Sequence, residues 1–182
     1  SMVLDNAVPT LSAVTIASNN DVDTTLAKAD DTVTVSITAS ETIASPTCVF
    51  AGVAGAVTVA GSGADWTCAV DVASGDTAGA VSFTIDAADP AGNALVQVVG
   101  VTDSSSVTFD ETVPTLTAVS LSSSNAAGSL AKPGDTVTAT ITASEAILAP
   151  TCVFQSGDAD STGAAVAVTD TSSGAGTGWA CV

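Results

Sequence analysis

The chain has 182 residues with a formal net charge of −17, only two Lys+Arg and no His; 46% of its residues are hydrophobic and 3% aromatic. So few cations exclude a basic patch that neutralises phosphates, and therefore a nucleic-acid partner, and they disfavour anionic membrane surfaces. The apolar content suffices for cores in one or two domains, whereas no apolar run reaches the ~18 residues of a membrane-spanning helix, so we expect no membrane insertion.

Short apolar-alternating segments follow one another from the first residues onward, and helix signals are nearly absent. In TVTVSITAS, Val33, Val35, Ile37 and Ala39 share one face, as in a half-buried strand. Gly, Asp, Asn and Ser separate these segments. The pattern predicts strands near 10–17, 31–40, 46–51, 56–60, 66–72, 79–88 and 95–109. We therefore predict an all-β fold of Ig-like antiparallel β-sandwiches with about seven strands per repeat.

The same pattern then recurs in the second half of the chain. The stretch LAKADDTVTVSITASETIASPTCVF (26–50) matches LAKPGDTVTATITASEAILAPTCVF (130–154), and DNAVPTLSAV from Asp5 matches DETVPTLTAV from Asp110. Both Lys, both Trp and all four Cys occupy equivalent positions. A unit of about 100 residues is the size of one small sandwich domain, so the repeats are tandem domains.

The repeat also sets the predicted domain boundaries. SMVLD (1–5) matches SVTFD (106–110), the end of the last predicted strand of repeat one. We therefore assign 1–5 to the end of a preceding repeat, 6–110 to a complete repeat, and 111–182 to a second repeat. That second repeat lacks counterparts of 79–109. We expect these strands further along the same chain; the alternative is that an adjacent chain donates them.

The four cysteines form one pair in each repeat. Cys48 shares a strand face with Phe50, and Cys68 shares one with Trp66, so both thiols should point into the core. We predict disulfides Cys48–Cys68 and Cys152–Cys181, which implies an oxidising compartment. Buried free thiols are the alternative. A zinc site is disfavoured because the chain has no His and no C-x-x-C.

Three motifs carry a family resemblance: DETVPTLTAV, GDTVTATITASEAI and DPAGN. They resemble the tandem bacterial Ig-like repeats, related to hyalin-type repeats, of large extracellular surface proteins and adhesins. The resemblance extends over nearly the whole chain and is not specific for one function. It implies an extracellular or cell-surface location, with neighbouring Ig-like repeats of the same or an adjacent chain as partners, in a homopolymer or filament.

Such arrays often bind Ca²⁺ where successive domains meet, and Ca²⁺ takes ~6–8 oxygen ligands at ~2.3–2.6 Å. We expect Glu41, Asp89 and Asn93 to face the junction with Asp110 and Glu111, because the B–C and F–G loops share one end of an Ig sandwich. Ordinary turn capping by Asp and Asn is the alternative. The candidate ligands are Asp5, Glu41, Asp86, Asp89, Asn93, Asp103, Asp110, Glu111 and Glu145.

No pattern indicates an enzyme, since His, Tyr, G-x-S-x-G and a phosphate-binding Gly loop are all missing. Lys28 and Lys132 precede a strand in each repeat; solvated turn lysines are expected, and isopeptide bonds are the alternative. We expect a structural segment of a filament, stalk or surface layer. The alternative is an adhesin module that binds a glycan, protein or surface through exposed loops, which the polar insertion at 155–178 slightly favours.

Overall fold

The computed structural model of the chain describes residues 4–155 and 166–182. These residues divide into two compact units between Glu111 and Thr112, called unit 1 and unit 2 below. All regular elements in the described ranges are β-strands, which confirms the all-β class. Part of the insertion at 155–178 lies outside the described residues.

Unit 1 is built around a four-stranded antiparallel sheet with the order β1-β3-β6-β5. Its strands are β1 (Leu11–Ser18), β3 (Thr32–Ala39), β5 (Thr58–Ser62) and β6 (Asp65–Asp71). Two smaller sheets complete the unit. In one, β4 (Thr47–Ala51) pairs antiparallel with β8 (Ser82–Asp86); in the other, β9 (Thr108–Phe109) lies between β2 (Leu26–Ala27) and β7 (Gly79–Ala80).

The core of unit 1 follows from the alternation in the sequence. On β3, Val33, Val35, Ile37 and Ala39 are at most 5% exposed, which confirms the predicted inward face. Side chains from all three sheets join them in one cluster, consistent with a β-sandwich. The cluster includes Val14, Ile16, Cys48, Phe50, Cys68, Val70, Val72, Phe83, Ile85, Val107 and Phe109.

The segment predicted as a strand at 95–109 forms a ladder only at β9, which pairs in parallel with β2 and antiparallel with β7. Before β9, backbone pairing is limited to an isolated antiparallel bridge between Val98 and Ile85 and a bond from Thr102 N–H to Val14 O, and side chains supply further contacts. The N–H groups of Val14 and Ile16 donate to Thr102 Oγ1 and Ser105 Oγ, each at 2.9 Å. Hydroxyl oxygens thus accept hydrogen bonds from the N–H groups along the edge of β1, where a continuous strand was predicted. The count of about seven strands and the Ig-like topology remain predictions.

The described residues of unit 2 form one four-stranded antiparallel sheet with the order β10-β11-β13-β12. Its strands are β10 (Leu116–Ser123), β11 (Val137–Ala143), β12 (Val168–Asp170) and β13 (Gly178–Cys181). Outside the undescribed stretch 156–165, its buried cluster is much smaller than that of unit 1 and consists of Ile141, Trp179 and Cys181, with half-buried neighbours such as Ile147 and Phe154.

Both predicted disulfides are present, and no cysteine is free. The Cα atoms are 6.3 Å apart in Cys48–Cys68 and 6.2 Å apart in Cys152–Cys181. In unit 1 the bond joins β4 to β6 and so ties two sheets together across the core. The pairing rules out the alternatives of free thiols and a cysteine zinc site. Two disulfides indicate an oxidising compartment outside the cytoplasm.

Candidate metal centre

Three carboxylates from separate parts of unit 1 meet at one end of the main sheet. Asp5 precedes β1, Glu41 follows β3, and Asp89 follows β8. One carboxylate oxygen from each lies within 4.8 Å of the others. All three residues were candidates from the sequence, and the cluster they form could hold a metal ion.

Asp89 is held by the turn that the DPAGN motif forms. Its Oδ1 accepts the Asn93 N–H at 2.7 Å, and its Oδ2 accepts from Asn93 Nδ2 at 2.7 Å. Gly92 has φ +96°, a conformation that favours glycine. Asp89 is only 3% exposed. Turn capping, the alternative to cation binding, therefore also occurs. The same hydrogen bonds that cap the turn orient the buried Asp89 carboxylate towards Asp5 and Glu41.

The hydrogen bonds from Asn93, first that of its side chain and then that of its backbone, outweigh burial and lower the pKa of Asp89 from its ordinary value. The carboxyl group therefore remains ionised at neutral pH although its surroundings are largely closed to solvent. An anion held in this way attracts a cation more strongly than an exposed one, because water screens it less.

Asn93 also connects this turn to the segment that precedes β1. Its Nδ2 donates to the backbone oxygen of Asp5 at 3.3 Å, and Asp5 Oδ1 accepts the Ala7 N–H at 3.0 Å. Rotation of the Asn93 amide would present its carbonyl oxygen to the carboxylates instead, which is the orientation that a cation requires. Asn93 is thus a fourth candidate ligand beside the three acids.

Backbone pairing positions Glu41 beside the other two acids. Ser40 N–H donates to Thr10 O at 2.8 Å, and Thr10 N–H donates to Ser40 Oγ at 3.0 Å, so the start of β1 is fixed to the end of β3. Ala44 N–H donates to Ala88 O at 2.8 Å, which holds the chain after Glu41 next to Asp89. Antiparallel pairing of β1 with β3 therefore brings Asp5 and Glu41 to the same end.

The charges of the cluster suit a hard cation. Both lysines are engaged elsewhere: Lys28 Nζ lies 3.2 Å from Asp31 Oδ1, and Lys132 Nζ lies 3.0 Å from Asp135 Oδ1. Carboxylates this close repel one another unless a cation or a proton intervenes. Oxygens bound to one Ca²⁺ are separated by at most about 4.8 Å, twice a typical Ca–O distance. The donor set therefore fits a hard divalent ion.

The other sequence candidates of unit 1 lie outside this cluster. Asp86 Oδ2 accepts from Gln97 Nε2 at 2.8 Å, and Asp103 Oδ1 accepts the Ser105 N–H at 2.9 Å. The bonds from Ser105 also lower the pKa of Asp103, so this acid has the role of a turn cap.

The expected convergence of Glu41, Asp89 and Asn93 with Asp110 and Glu111 differs from what the structure shows. Asp110 N–H donates to Ala27 O at 2.9 Å, and Glu111 Oε1 accepts the Gly75 N–H at 2.8 Å. The reason is strand direction: β1 starts beside the end of β3, whereas the segment after β9 leaves beside β2. The linker residue at the Glu41 end is therefore Asp5.

In unit 2, the remaining candidate is Glu145, the sequence counterpart of Glu41. Its Oε1 is buried and has no hydrogen-bond partner among the described residues. Ser144 repeats the contacts of Ser40, because its N–H donates to Thr115 O at 2.8 Å and its Oγ accepts from Thr115 N at 2.9 Å. Glu145 is therefore held by the same local pairing as Glu41.

A second polar cluster, which the sequence interpretation missed, occurs in both units. Asn20 Nδ2 donates to Asp31 Oδ2 at 2.7 Å, and Asn125 Nδ2 donates to Asp135 Oδ2 at 2.8 Å. The backbone N–H of the lysine three residues earlier donates to the same Asp oxygen at 2.9 Å in each unit. Both lysine side chains are 70% exposed, in accord with solvated turn lysines. The K-x-x-D spacing was the available signal.

These clusters predict a loss of stability in acid. Burial tends to raise the pKa of Asp31 but is outweighed by hydrogen bonds from Asn20 and Lys28, so that pKa is lowered; the Asn125 side chain has the largest effect in lowering that of Asp135. A depressed folded-state pKa stabilises above the unfolded value of about 3.9, and that contribution is lost as pH falls through the folded value. We expect urea midpoints to be constant from pH 7 to 5 and to drop below pH 4.

Asp31→Asn tests the assignment, because it removes the titrating group of unit 1. The variant should be less stable than wild type at pH 7, and the difference should shrink towards pH 3. Urea unfolding followed by circular dichroism measures both curves. A difference that stays constant between pH 7 and pH 3 would contradict a role for the Asp31 charge.

Comparisons with protein-family models, curated proteins and solved structures find no match to this chain. No helix of the described residues is long and apolar enough to cross a membrane. Two features of the chain itself therefore bear on its function: the strand pairing that both units share, and the carboxylate cluster around Asp5.

Proposed function

We propose that the chain is a structural segment of a long extracellular protein made of tandem Ig-like repeats, in a filament, stalk or surface layer. The strand pairing that both units share carries this proposal. β1 pairs with β3 from Leu11↔Ala39, with a bulge before Ala13, and β10 pairs with β11 from Leu116↔Ala143, with a bulge before Ala118. A bulge kept at the same place is a feature of one repeated structural unit.

The shared features extend to the side chains that rigidify each unit. Trp66 Nε1 donates to Gly63 O at 3.1 Å, and Trp179 Nε1 donates to Gly176 O at 3.0 Å. The disulfide, the serine contact with the start of the first strand and the Asn–Asp–Lys cluster also recur. The features that recur are thus those that stabilise each unit, as expected of an array of repeats that carries mechanical load.

Calcium fits this role as a structural ion. Asp5 belongs to the segment that leads into unit 1, whereas Glu41 and Asp89 belong to its body. A Ca²⁺ ion bound by all three acids would fix that segment to the body and remove a flexible joint. The net charge of −17 would keep such an array soluble in the absence of lateral partners.

Electron microscopy of the native source tests the proposal. Antibodies raised against the recombinant chain should label regular filaments, stalks or a surface layer, with labels at a constant repeat distance. If the labelled protein is instead an isolated monomer that binds a defined glycan or protein, the structural role is wrong and the adhesin alternative holds. Intact-mass measurement of the labelled protein gives the number of repeats.

A further inference from the structure

A long segment in the middle of unit 1 carries no charge. Every residue from Thr42 to Ala64 is neutral, although 12% of the residues in the chain are charged. Glu41 and Asp65 bound this run, which contains β4 and β5. Asp76 contacts it in the link between the two strands, where its Oδ1 accepts the Ala54 N–H at 2.8 Å. The two strands themselves are therefore uncharged on a strongly acidic molecule.

Both strands of this run are sheet edges. Among the described residues, β5 pairs only with β6, and β4 pairs only with β8. Cys68, the disulfide partner of Cys48 on β4, pairs with Val59 of β5, so the two edges lie on the same side of unit 1. In an antiparallel pair, alternate residues direct their N–H and C=O groups away from the partner. Each edge thus offers backbone donors and acceptors to a further strand.

The opposite edge of the same main sheet is protected, whereas that of β5 is not. On β1, the N–H groups of Val14 and Ile16 donate to side-chain hydroxyls, and Val14 O accepts the Thr102 N–H at 2.8 Å. The structure shows no such cover along β5 within the ranges it describes. β5 also lacks the lysine, the proline and the inward charge that commonly block an edge, and its pairing with β6 has no bulge.

Apolar side chains accompany the free edge of β5. Val57 and Val59 are half-buried and pack against the core cluster of unit 1, as does Val53 in the link before them. These side chains keep part of their apolar surface in water, because the main sheet ends at β5. A further strand beside β5 would bury that surface, which favours association.

We propose that unit 1 of two copies associates side by side, with β5 of one copy antiparallel to β5 of the other. A two-fold axis near Val59 brings Val57 and Val59 of both copies together on the core face, and the two four-stranded sheets join into one. The contact goes beyond the proposed function and does not depend on it, because it joins chains laterally.

The absence of charge favours a second copy as the occupant of this edge. Two molecules that each carry a net charge of −17 repel one another over most of their surfaces. The uncharged edges are where two copies can approach without placing acids opposite each other. A cationic partner would find no counter-charge on β5, whereas a neutral strand with valines on one face is complementary to itself.

The size of the contact predicts its strength. A strand of five residues is about 17 Å long, and two sheets about 10 Å apart give a side roughly 20 Å thick. Each copy would bury about 350 Å², or about 700 Å² for the pair, which is below the ~1,200 Å² of a stable interface. We therefore expect monomers at micromolar and dimers at millimolar concentration. Several units along one chain would strengthen the contact through multivalency.

Nuclear magnetic resonance of the full chain tests the location of the contact. As the concentration of ¹⁵N-labelled protein rises from micromolar to millimolar, amide shifts should change at 57–61, and hydrogen exchange of β5 amides should slow. In a mixture of ¹³C-labelled and unlabelled protein, Val59 methyl groups should show intermolecular contacts to Val57 and Val59. Constant β5 shifts up to millimolar concentration, or changes confined to other surfaces, would overturn the proposal.

A matched pair of variants tests the role of charge. Ala60→Asp places an acid on β5 of both copies and should weaken association, followed by analytical ultracentrifugation, at least tenfold. Ala17→Asp makes the same exchange at an exposed position of β1, the protected edge, and should associate as wild type. Urea midpoints check that both variants are folded. Equal weakening by the two variants would overturn the proposal, whereas the filament itself stands or falls with electron microscopy.

Discussion

Replacing Cys48 and Cys68 together by alanine should lower the free energy of unfolding of unit 1 by about 3 kcal/mol, or more. The bond closes a loop with a sequence separation of 20 residues, and a loop of this size restricts the unfolded chain by about 3 kcal/mol in the chain-entropy model. Cys68 is fully buried against the core, so truncation of its side chain adds a cavity cost. A loss of this size is a large share of the stability of a small domain.

The two tryptophans make this measurement specific. Trp66 belongs to unit 1 and Trp179 to unit 2, so Trp179→Phe leaves one fluorescent reporter in unit 1. Urea unfolding of that variant, with and without the Cys48–Cys68 pair, gives the difference. The matched control is the replacement of Cys152 and Cys181, which should leave the transition reported by Trp66 unchanged. An unchanged midpoint after loss of Cys48–Cys68 would contradict its stabilising role.

Calcium should raise the unfolding temperature of unit 1 by about 11–22 °C when present at a hundredfold excess over its dissociation constant. Binding to the folded state alone stabilises by about 2.7 kcal/mol at that excess, and a small domain gains about 4–8 °C per kcal/mol. The physical source is the relief of repulsion among Asp5, Glu41 and Asp89, whose oxygens lie within 4.8 Å. Calorimetry with calcium and with chelator measures the shift.

Glu41→Gln makes the origin of this shift testable. The variant removes one charge but keeps the shape of the side chain, so the calcium shift should fall to about 2 °C or less, which corresponds to a binding constant lowered about a hundredfold or more. In chelator the variant should be at least as stable as wild type, because two acids repel less than three. Asp86→Asn, outside the cluster, is the control and should keep the full shift. A shift that survives Glu41→Gln would refute the site.

The sequence predicts the strands of the central sheet of unit 1 well, because only one face of each strand can be buried. Val33, Val35 and Ile37 alternate without interruption, and the disulfide of unit 1 follows from the inward positions of Cys48 and Cys68. The parallel pairing of β2 with β9 was not predictable in the same way. Each of these strands is two residues long, too short to show a period, and hydroxyls at Thr102 and Ser105 replace a ladder.

The candidate site was predictable in composition but not in arrangement. Asp89 and Asn93 belong to DPAGN, a motif that predicts a turn, and Glu41 follows a clearly predicted strand. Their residue types therefore indicate a cation site. Strand direction decides which linker acid joins Glu41 and Asp89, and apolar alternation does not reveal that direction. The linker acid beside them is Asp5 and not Asp110. The Asn20–Asp31 contact joins residues from different loops and leaves only the K-x-x-D spacing as a local signal.

The bond between Cys48 and Cys68 also has a mechanical consequence. If unit 1 is pulled at its two ends until it unfolds, the force passes through the sulfur atoms, and the loop between them carries no tension. With a sequence separation of 20 residues, roughly 65–70 Å of contour length remains locked. Extension under load is therefore shorter than the chain length allows, and the locked loop can guide refolding when the tension is released.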